Sequence, residues 1–166
     1  MLMSESRSRR LELMFDVYDT DGSGTIERED FVLRAQRRVS ESGFEPGSMQ
    51  ARRLTNSYLA FFEGLVACCD LNGNGQVVRD EWVAVWDEMS RTVQEFEQLP
   101  VWGIALADAI WGFLAAGEDT VARTRLEAGH REPPFHALLD FFGERAALER
   151  VDFEAWWMQY LFADEV

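Results

Sequence analysis

The sequence predicts an all-α protein built from four helix–loop–helix units, which pair into two lobes and pack compactly. Three observations support this prediction. Two twelve-residue loops are rich in Asp, Asn, Ser and Gly; apolar residues at helical spacing flank each of them; and two similarly flanked loops follow in the second half. With 47% hydrophobic and 13% aromatic residues, the chain can bury a sizeable core.

The two acidic loops have one pattern. Loop one covers residues 19–30 and reads DTDGSGTIERED, and loop two covers residues 70–81 and reads DLNGNGQVVRDE. Both carry oxygen-bearing side chains at positions 1, 3 and 5, Gly at position 6 and a carboxylate at position 12. Ca²⁺ needs about six to eight oxygens around one point, and Gly at position 6 allows the sharp turn that supplies them. One such loop also occurs as an ordinary polar turn, but two between amphipathic helices indicate EF-hands.

The EF-hand pattern predicts the metal ligands of each loop. In loop one these are the side chains of Asp19, Asp21, Ser23, Glu27 and Asp30 and the backbone carbonyl of Thr25. In loop two they are the side chains of Asp70, Asn72, Asn74 and Glu81 and the carbonyl of Gln76. The sequence therefore predicts two Ca²⁺ per chain. Whether Glu27 ligates directly or through water stays open.

Loop one ends differently from loop two. Asp30 is one methylene shorter than the usual Glu at position 12, so we expect it to give a smaller coordination number. Since Mg²⁺ demands about six close ligands, the first site should accept Mg²⁺ more readily than the second.

Apolar residues at helical spacing predict a helix before and after each of the two loops. Apolar stripes precede and follow loop one (Leu11, Met14, Phe15, Tyr18; Phe31, Val32, Ala35, Val39) and loop two (Leu54, Tyr58, Phe61, Phe62, Leu65, Cys69; Trp82, Trp86, Met89, Val93, Phe96). Residues 43–47 form a Gly/Pro linker, and Pro100 marks the next break. We expect Ile26 and Val77, both at position 8, to pair as short strands. Residues 1–99 are thus predicted to form an N-terminal EF-hand pair.

The second half is predicted to hold two degenerate EF-hands in residues 100–166. Taking Val121 and Val151 as position 8 places loops three and four at residues 114–125 and 144–155, with Trp156 as the apolar anchor behind loop four. Apolar side chains and an arginine stand at most of their ligand positions, so neither loop should bind metal. The alternative is two EF-hands followed by an unrelated helical tail.

The chain resembles calerythrin and the sarcoplasmic calcium-binding proteins. The resemblance rests on these loops, the wide interval between them, Asp30 at position 12 and the aromatic-rich core. The resemblance covers nearly the whole length. It implies a compact four-EF-hand protein with its halves packed face to face, in which one or two loops can lose their metal.

Charge and sequence pattern exclude several classes. Thirty acidic against sixteen basic residues give a formal charge of −14, which argues against nucleic-acid binding. The N-terminus lacks the apolar stretch of a secretory signal, and the longest apolar run is too short to span a bilayer. The adjacent Cys68 and Cys69 are poorly placed for a disulfide and are expected to be buried thiols. We therefore expect a cytoplasmic monomer.

Two functions remain for such a protein. The first is a calcium buffer or signal modulator, and the alternative is a calmodulin-like sensor that exposes an apolar groove to a target protein. The sequence offers no nucleophile or phosphate-loop motif, so we do not expect an enzyme. The adjacent Trp156 and Trp157 are either a contact surface or part of a broad core face.

Overall fold

The first half of the computed structural model contains two helix–strand–helix units. The structure describes residues 6–70, 73–128 and 135–163. Helix α1 (Arg7–Tyr18), strand β1 (Thr25–Ile26) and helix α2 (Arg28–Ser42) form the first unit. Helix α3 (Met49–Cys69), strand β2 (Val77–Val78) and helix α4 (Arg79–Met89) form the second. Local sequence sets the helix ends: the Ser6 and Ser48 hydroxyls accept backbone N–H groups in the first turns of α1 and α3, and Gly43, with φ 80°, ends α2.

The second half repeats this arrangement with shorter elements. After a 3₁₀ turn (Phe96–Gln98) come α5 (Val101–Ala115), β3 (Thr120–Ala122) and α6 (Arg123–Glu127). Then follow α7 (Phe135–Phe142), β4 (Ala147–Glu149) and α8 (Arg150–Phe162). The predicted all-α fold with four helix–loop–helix units is therefore confirmed, and no unrelated helical tail replaces the last two units.

Two antiparallel strand pairs join neighbouring loops. Ile26 lies opposite Val77 and both are fully buried, which confirms the predicted pairing of the first two loops. In the second half Val121 lies opposite Leu148, not Val151. The predicted register of the fourth loop was therefore wrong by three residues. Val151 lies in α8 and is 65% exposed.

The two C-terminal loops are shorter than the two N-terminal loops. Eight positions separate Tyr18, at the end of α1, from Ile26, and the same interval separates Cys69 from Val77. In the third and fourth units, the end of α5 or α7 lies only six positions before the paired strand residue. Both C-terminal loops are thus two residues shorter. The apolar anchor after loop four is accordingly Phe153, which is fully buried.

The aromatic side chains form one continuous core that runs between the two halves. Phe61 of α3 has the rings of Phe31, Trp82, Trp86 and Trp102 within 5.3–6.5 Å of its own, centre to centre. Because Trp102 belongs to α5, this cluster joins the second unit to the third. Burial of large rings is the main apolar stabilisation available to a domain of this size.

Helices α3 and α5 approach each other closely at Gly64. A side-chain carbon at this position of α3 would overlap the indole of Trp102 on α5, so only glycine permits the observed approach of the two helices. Trp156 and Trp157 are both buried, which places them in the core and removes them as a contact surface. Cys69 is buried, whereas Cys68 is exposed, contrary to the expectation of two buried thiols. In the described ranges, no helix has the length and apolar character needed to cross a membrane.

Candidate metal centre

Loop one gathers its acidic side chains at one point. Carboxylate oxygens of Asp19, Asp21 and Asp30 all lie within 4.8 Å of one another. The hydroxyl oxygen of Ser23 lies 3.3 Å from Asp19 Oδ1 and 3.0 Å from the backbone carbonyl oxygen of Thr25. Five of the six predicted ligands of this loop therefore converge. A set made only of oxygen atoms suits a hard divalent cation.

Glycines allow the loop to close around that point. Gly22 and Gly24 have φ angles of 67° and 87°, which is left-handed backbone that side chains other than glycine rarely adopt. The turn brings the backbone N–H of Gly24 within 2.8 Å of Asp19 Oδ2. The carboxylate at position 1 is thereby fixed in orientation.

Asp30 is the buried acidic residue of the described chain. It is only 2% exposed, and its two oxygens accept the backbone N–H groups of Glu27 (2.8 Å) and Asp21 (3.3 Å). Burial, with a smaller contribution from the negative charges of Asp21 and Asp19, raises the pKa of Asp30. Hydrogen bonds from Ser23 lower the pKa of Asp21 instead. A divalent cation among these groups would relieve the repulsion that opposes ionisation of Asp30.

Loop two repeats the backbone framework of loop one. Asp70 Oδ2 accepts the N–H of Gly75 at 2.6 Å, just as Asp19 accepts that of Gly24. Glu81 Oε1 accepts the N–H of Val78 at 3.0 Å, as Asp30 does with Glu27. Among the predicted ligands, Asn72 lies outside the described residues. Positions 1 and 12 therefore have the same structural roles in both loops.

A hydrogen bond joins the two loops beside their strand pair. The side-chain amide of Gln76 donates to Glu27 Oε1 at 3.0 Å, and the hydroxyl of Thr25 donates to the same oxygen at 3.0 Å. The sequence analysis assigned Gln76 only a backbone role. The bond could not be found from either loop alone, since positions 7 and 9 meet only when the strands pair in register.

Arginines occupy the neighbourhood of the two C-terminal loops. Arg125, which stands at position 12 of loop three, donates to the carbonyl oxygen of Phe113 at 2.8 Å. Arg145 in loop four donates to the carbonyl oxygens of Phe141 and Phe142 and lies 3.5 Å from the carboxylate of Asp152. In loops three and four, a guanidinium group thus supplies positive charge at the end of the preceding helix, α5 or α7. In a metal-binding loop the bound ion would supply that charge.

Comparison with known proteins supports the class of protein that this geometry defines. The EF-hand family model matches residues 11–33, which include all of loop one. Calerythrin from Saccharopolyspora erythraea is 28% identical over 82 residues, which are 49% of this chain and 46% of calerythrin. The match thus spans about half the length of that relative.

Solved structures extend the likeness to almost the whole fold. A sarcoplasmic calcium-binding protein from amphioxus superposes with a TM-score of 0.78 at 15% identity, covering 96% of this chain and 91% of the other. A Streptomyces coelicolor calcium-binding protein, described in connection with prokaryotic calcium-mediated regulation, gives 0.72 at 18% identity over 93% and 97%. The coelenterazine-binding protein of Renilla muelleri gives 0.65 at 16% over 96% and 90%.

These findings place an EF-hand at residues 11–33 of a chain whose fold is similar to those of solved calcium-binding proteins. Within that class, it resembles calerythrin in sequence and the sarcoplasmic calcium-binding proteins in fold, as the loop pattern predicted.

Proposed function

We propose that this protein binds two Ca²⁺, one in loop one and one in loop two, and serves as a cytoplasmic calcium buffer or signal modulator. The observation that carries the proposal is the convergence of Asp19, Asp21 and Asp30 within 4.8 Å. Three carboxylates this close repel one another unless a cation or protons neutralise them. The calcium-binding proteins that share its fold and its sequence pattern give further support.

The proposed ligands are the residues named by the loop pattern. In loop one they are Asp19, Asp21, Ser23, Asp30 and the Thr25 carbonyl, with Glu27 acting at position 9. In loop two they are Asp70, Asn72, Asn74, Glu81 and the Gln76 carbonyl. Mg²⁺ is proposed as a competitor at the first site, where the shorter Asp30 favours six-fold coordination.

Calorimetric titration of the metal-free protein with Ca²⁺ tests the number and position of the sites. The unmodified protein should show two sites, and Asp30→Asn or Glu81→Gln should each remove one. Glu29→Gln and Asp80→Asn are matched controls, because both lie at position 11 and both are exposed. They remove the same charge and should leave two sites. A third or fourth site in the unmodified protein would contradict the proposal that loops three and four are silent.

The choice of a buffer follows from how the apolar residues are arranged. The large aromatic side chains of the described residues are buried or partly buried, and the exposed large apolar residues lie on five different elements (Leu33, Met49, Val78, Val101 and Val151). We propose that residues 1–99 respond to the metal while residues 100–166 form a preformed pair, and that the protein remains a monomer. Hydrophobic dye binding should then fall or stay flat as Ca²⁺ is added, and size-exclusion chromatography should give the monomer mass.

One observation favours the sensor alternative. A cavity of about 610 Å³ lies between the end of α2, the linker and the start of α3, with Val39, Phe44 and Ala51 among its walls. Since α2 leaves loop one, a calcium-driven movement of α2 could widen this cavity for a target helix. A clear rise of dye fluorescence with Ca²⁺ would decide for the sensor and against the buffer.

A further inference from the structure

The first EF-hand unit contains three buried arginines. Arg10 on α1 and Arg34 and Arg38 on α2 are exposed by no more than 5%, and with Asp30 they are the buried charged residues of the described chain. Arg34 donates to the carbonyl oxygen of Val17, in its own unit. Arg10 and Arg38 instead contact elements from the second half of the sequence. Burying a guanidinium group costs free energy unless hydrogen bonds or aromatic contacts compensate it. Loss of the contacts of Arg10 or Arg38 should therefore be unfavourable.

Arg10 connects α1 to the end of α8. Its Nε donates to the carbonyl oxygen of Tyr160 at 2.7 Å, its Nη2 donates to that of Ala163, and its Cζ lies 5.7 Å from the centre of the Tyr160 ring. Carbonyl groups at a helix C-terminus carry partial negative charge, which favours a cation there. Arg7, one turn earlier, pairs with Asp87 of α4 at 2.9 Å and so holds the same end of α1 against the second unit.

Arg38 connects α2 to a different part of the second half. Its Cζ lies 4.4 Å from the ring centre of Phe113, near the end of α5, and 5.4 Å from that of Phe135, at the start of α7. It also pairs with Glu41 on its own helix at 3.0 Å. A guanidinium desolvated against aromatic faces is attracted to them by the quadrupole of the rings.

The two helices of the first unit, α1 and α2, therefore contact separate elements of the C-terminal half. Helices α1 and α2 are joined by loop one, so their relative angle depends on how that loop is closed. A change in this angle would move Arg10 relative to α8 or Arg38 relative to Phe113 and Phe135. Metal bound in loop one would fix the angle by holding Asp19, at the end of α1, and Asp30, in the first turn of α2, to one ion.

We infer that Arg10 and Arg38 set the calcium affinity of loop one from outside it, by coupling closure of the loop to docking of the C-terminal half. This inference rests on the proposed calcium binding at that loop. Coupling between two equilibria is reciprocal, so docking that calcium strengthens must itself strengthen calcium binding. Arg10 lies nine residues before Asp19, or about 13 Å along a helix, so its effect on affinity cannot come from ligation.

Calorimetry on four variants provides the first test. Arg10→Gln and Arg38→Gln should each lower the affinity of loop one about fivefold or more and change loop two less. Arg10→Lys keeps the positive charge but has fewer hydrogen-bond donors. Its loop-one calcium affinity should lie between those of Arg10→Gln and the unmodified protein. Arg91→Gln is the control, since Arg91 is 66% exposed, pairs with Asp87 and Glu88, and should have no effect. Lower thermal stability with unchanged loop-one affinity in both Gln variants would overturn the inference.

Hydrogen exchange of the α8 amides provides the second test. Calcium should slow exchange at residues 157–162 in the unmodified protein, although no proposed ligand lies in α8. In Arg10→Gln that calcium effect should be lost. If the exchange rates of the α8 amides in the unmodified protein are the same with and without calcium, the coupling is overturned even if two Ca²⁺ bind. Absence of calcium binding at loop one would instead refute the proposed function, so the two failures are distinguishable.

Discussion

The side-chain amide of Gln76 in loop two donates a hydrogen bond to the carboxylate of Glu27 in loop one, at 3.0 Å. The bond lies beside the pairing of Ile26 with Val77, so the two loops share both a backbone and a side-chain link. Ordering of one loop by metal should therefore preorganise the other, which is positive coupling between the sites.

Gln76→Ala should weaken this coupling. The variant keeps the backbone carbonyl of residue 76 as a ligand and removes only the amide that reaches Glu27. A hydrogen bond to a charged group contributes about 1.5–3 kcal/mol, so the cooperative gain between the two binding steps should fall by about tenfold or more. Calorimetric or competitive titration would measure it. Gln94→Ala removes an exposed glutamine outside both loops and serves as the control. Equal cooperativity in all three proteins would refute the cross-loop link.

Exchange of the position-12 residues should change metal selectivity in opposite directions. Asp30→Glu adds the methylene needed for bidentate reach, so loop one should gain Ca²⁺ over Mg²⁺, because Ca²⁺ accepts a seventh oxygen that Mg²⁺ resists. Glu81→Asp should lower the Ca²⁺/Mg²⁺ ratio of loop two for the same reason. Each variant is the control of the other in competition titrations. An unchanged or lowered ratio in Asp30→Glu would contradict the argument.

Asp30→Asn should make the metal-free protein more stable at neutral pH while abolishing binding at loop one. Burial raises the pKa of Asp30 above that of an unfolded chain, so its contribution to stability is fully present below the unfolded pKa and is lost as the pH rises through the folded pKa. Asparagine removes the charge that causes this loss. Thermal denaturation in a chelator from pH 3 to pH 8 would measure the effect. The gain should vanish at acidic pH, and a loss of stability at neutral pH would contradict the assignment.

A glutamate at position 12 should not restore metal binding to loop three. Arg125→Glu supplies the usual ligand there, but the loop is two residues shorter than loops one and two, and Leu114 and Ala116 at its predicted positions 1 and 3 offer no carboxylate. Calorimetry should still find two sites. Loss of the hydrogen bond to the Phe113 carbonyl should reduce the free energy of unfolding by about 1–3 kcal/mol. Thr124→Glu adds a carboxylate at an exposed neighbour, removes no arginine, and should be nearly neutral in its effect on stability. A third site in Arg125→Glu would show that loop length is not limiting.

Gly64→Ala should be strongly destabilising, whereas Gly112→Ala should not. The new methyl group at position 64 would overlap Trp102 and force α3 and α5 apart, at a cost of about 1–3 kcal/mol. At position 112 the nearest atom is Leu54 Cδ1 at 3.8 Å, an ordinary contact, so alanine should stabilise α5 by about 0.5–1 kcal/mol through its higher helix propensity. Urea denaturation of both variants would measure the difference. Equal effects would mean that the helices do not approach as closely as described.

The local pattern of the sequence determined the helices, the two acidic loops and the pairing of Ile26 with Val77. Helical periodicity and the oxygen-rich loop are properties of contiguous residues, so they can be recognised without knowing what lies across the fold. The all-α class and the four-unit architecture followed from repeating that pattern. The assignment of the metal ligands remains a prediction.

Only the tertiary structure decided the register of loop four, the Glu27–Gln76 bond and the contacts of the buried arginines. Val151 and Leu148 are both apolar residues near a helix start, and only pairing with Val121 distinguishes them. Arg10 resembles any surface arginine in the sequence, because its partners in α8 lie about 150 residues away. Such partners follow from the packing of distant elements, which a local pattern does not encode.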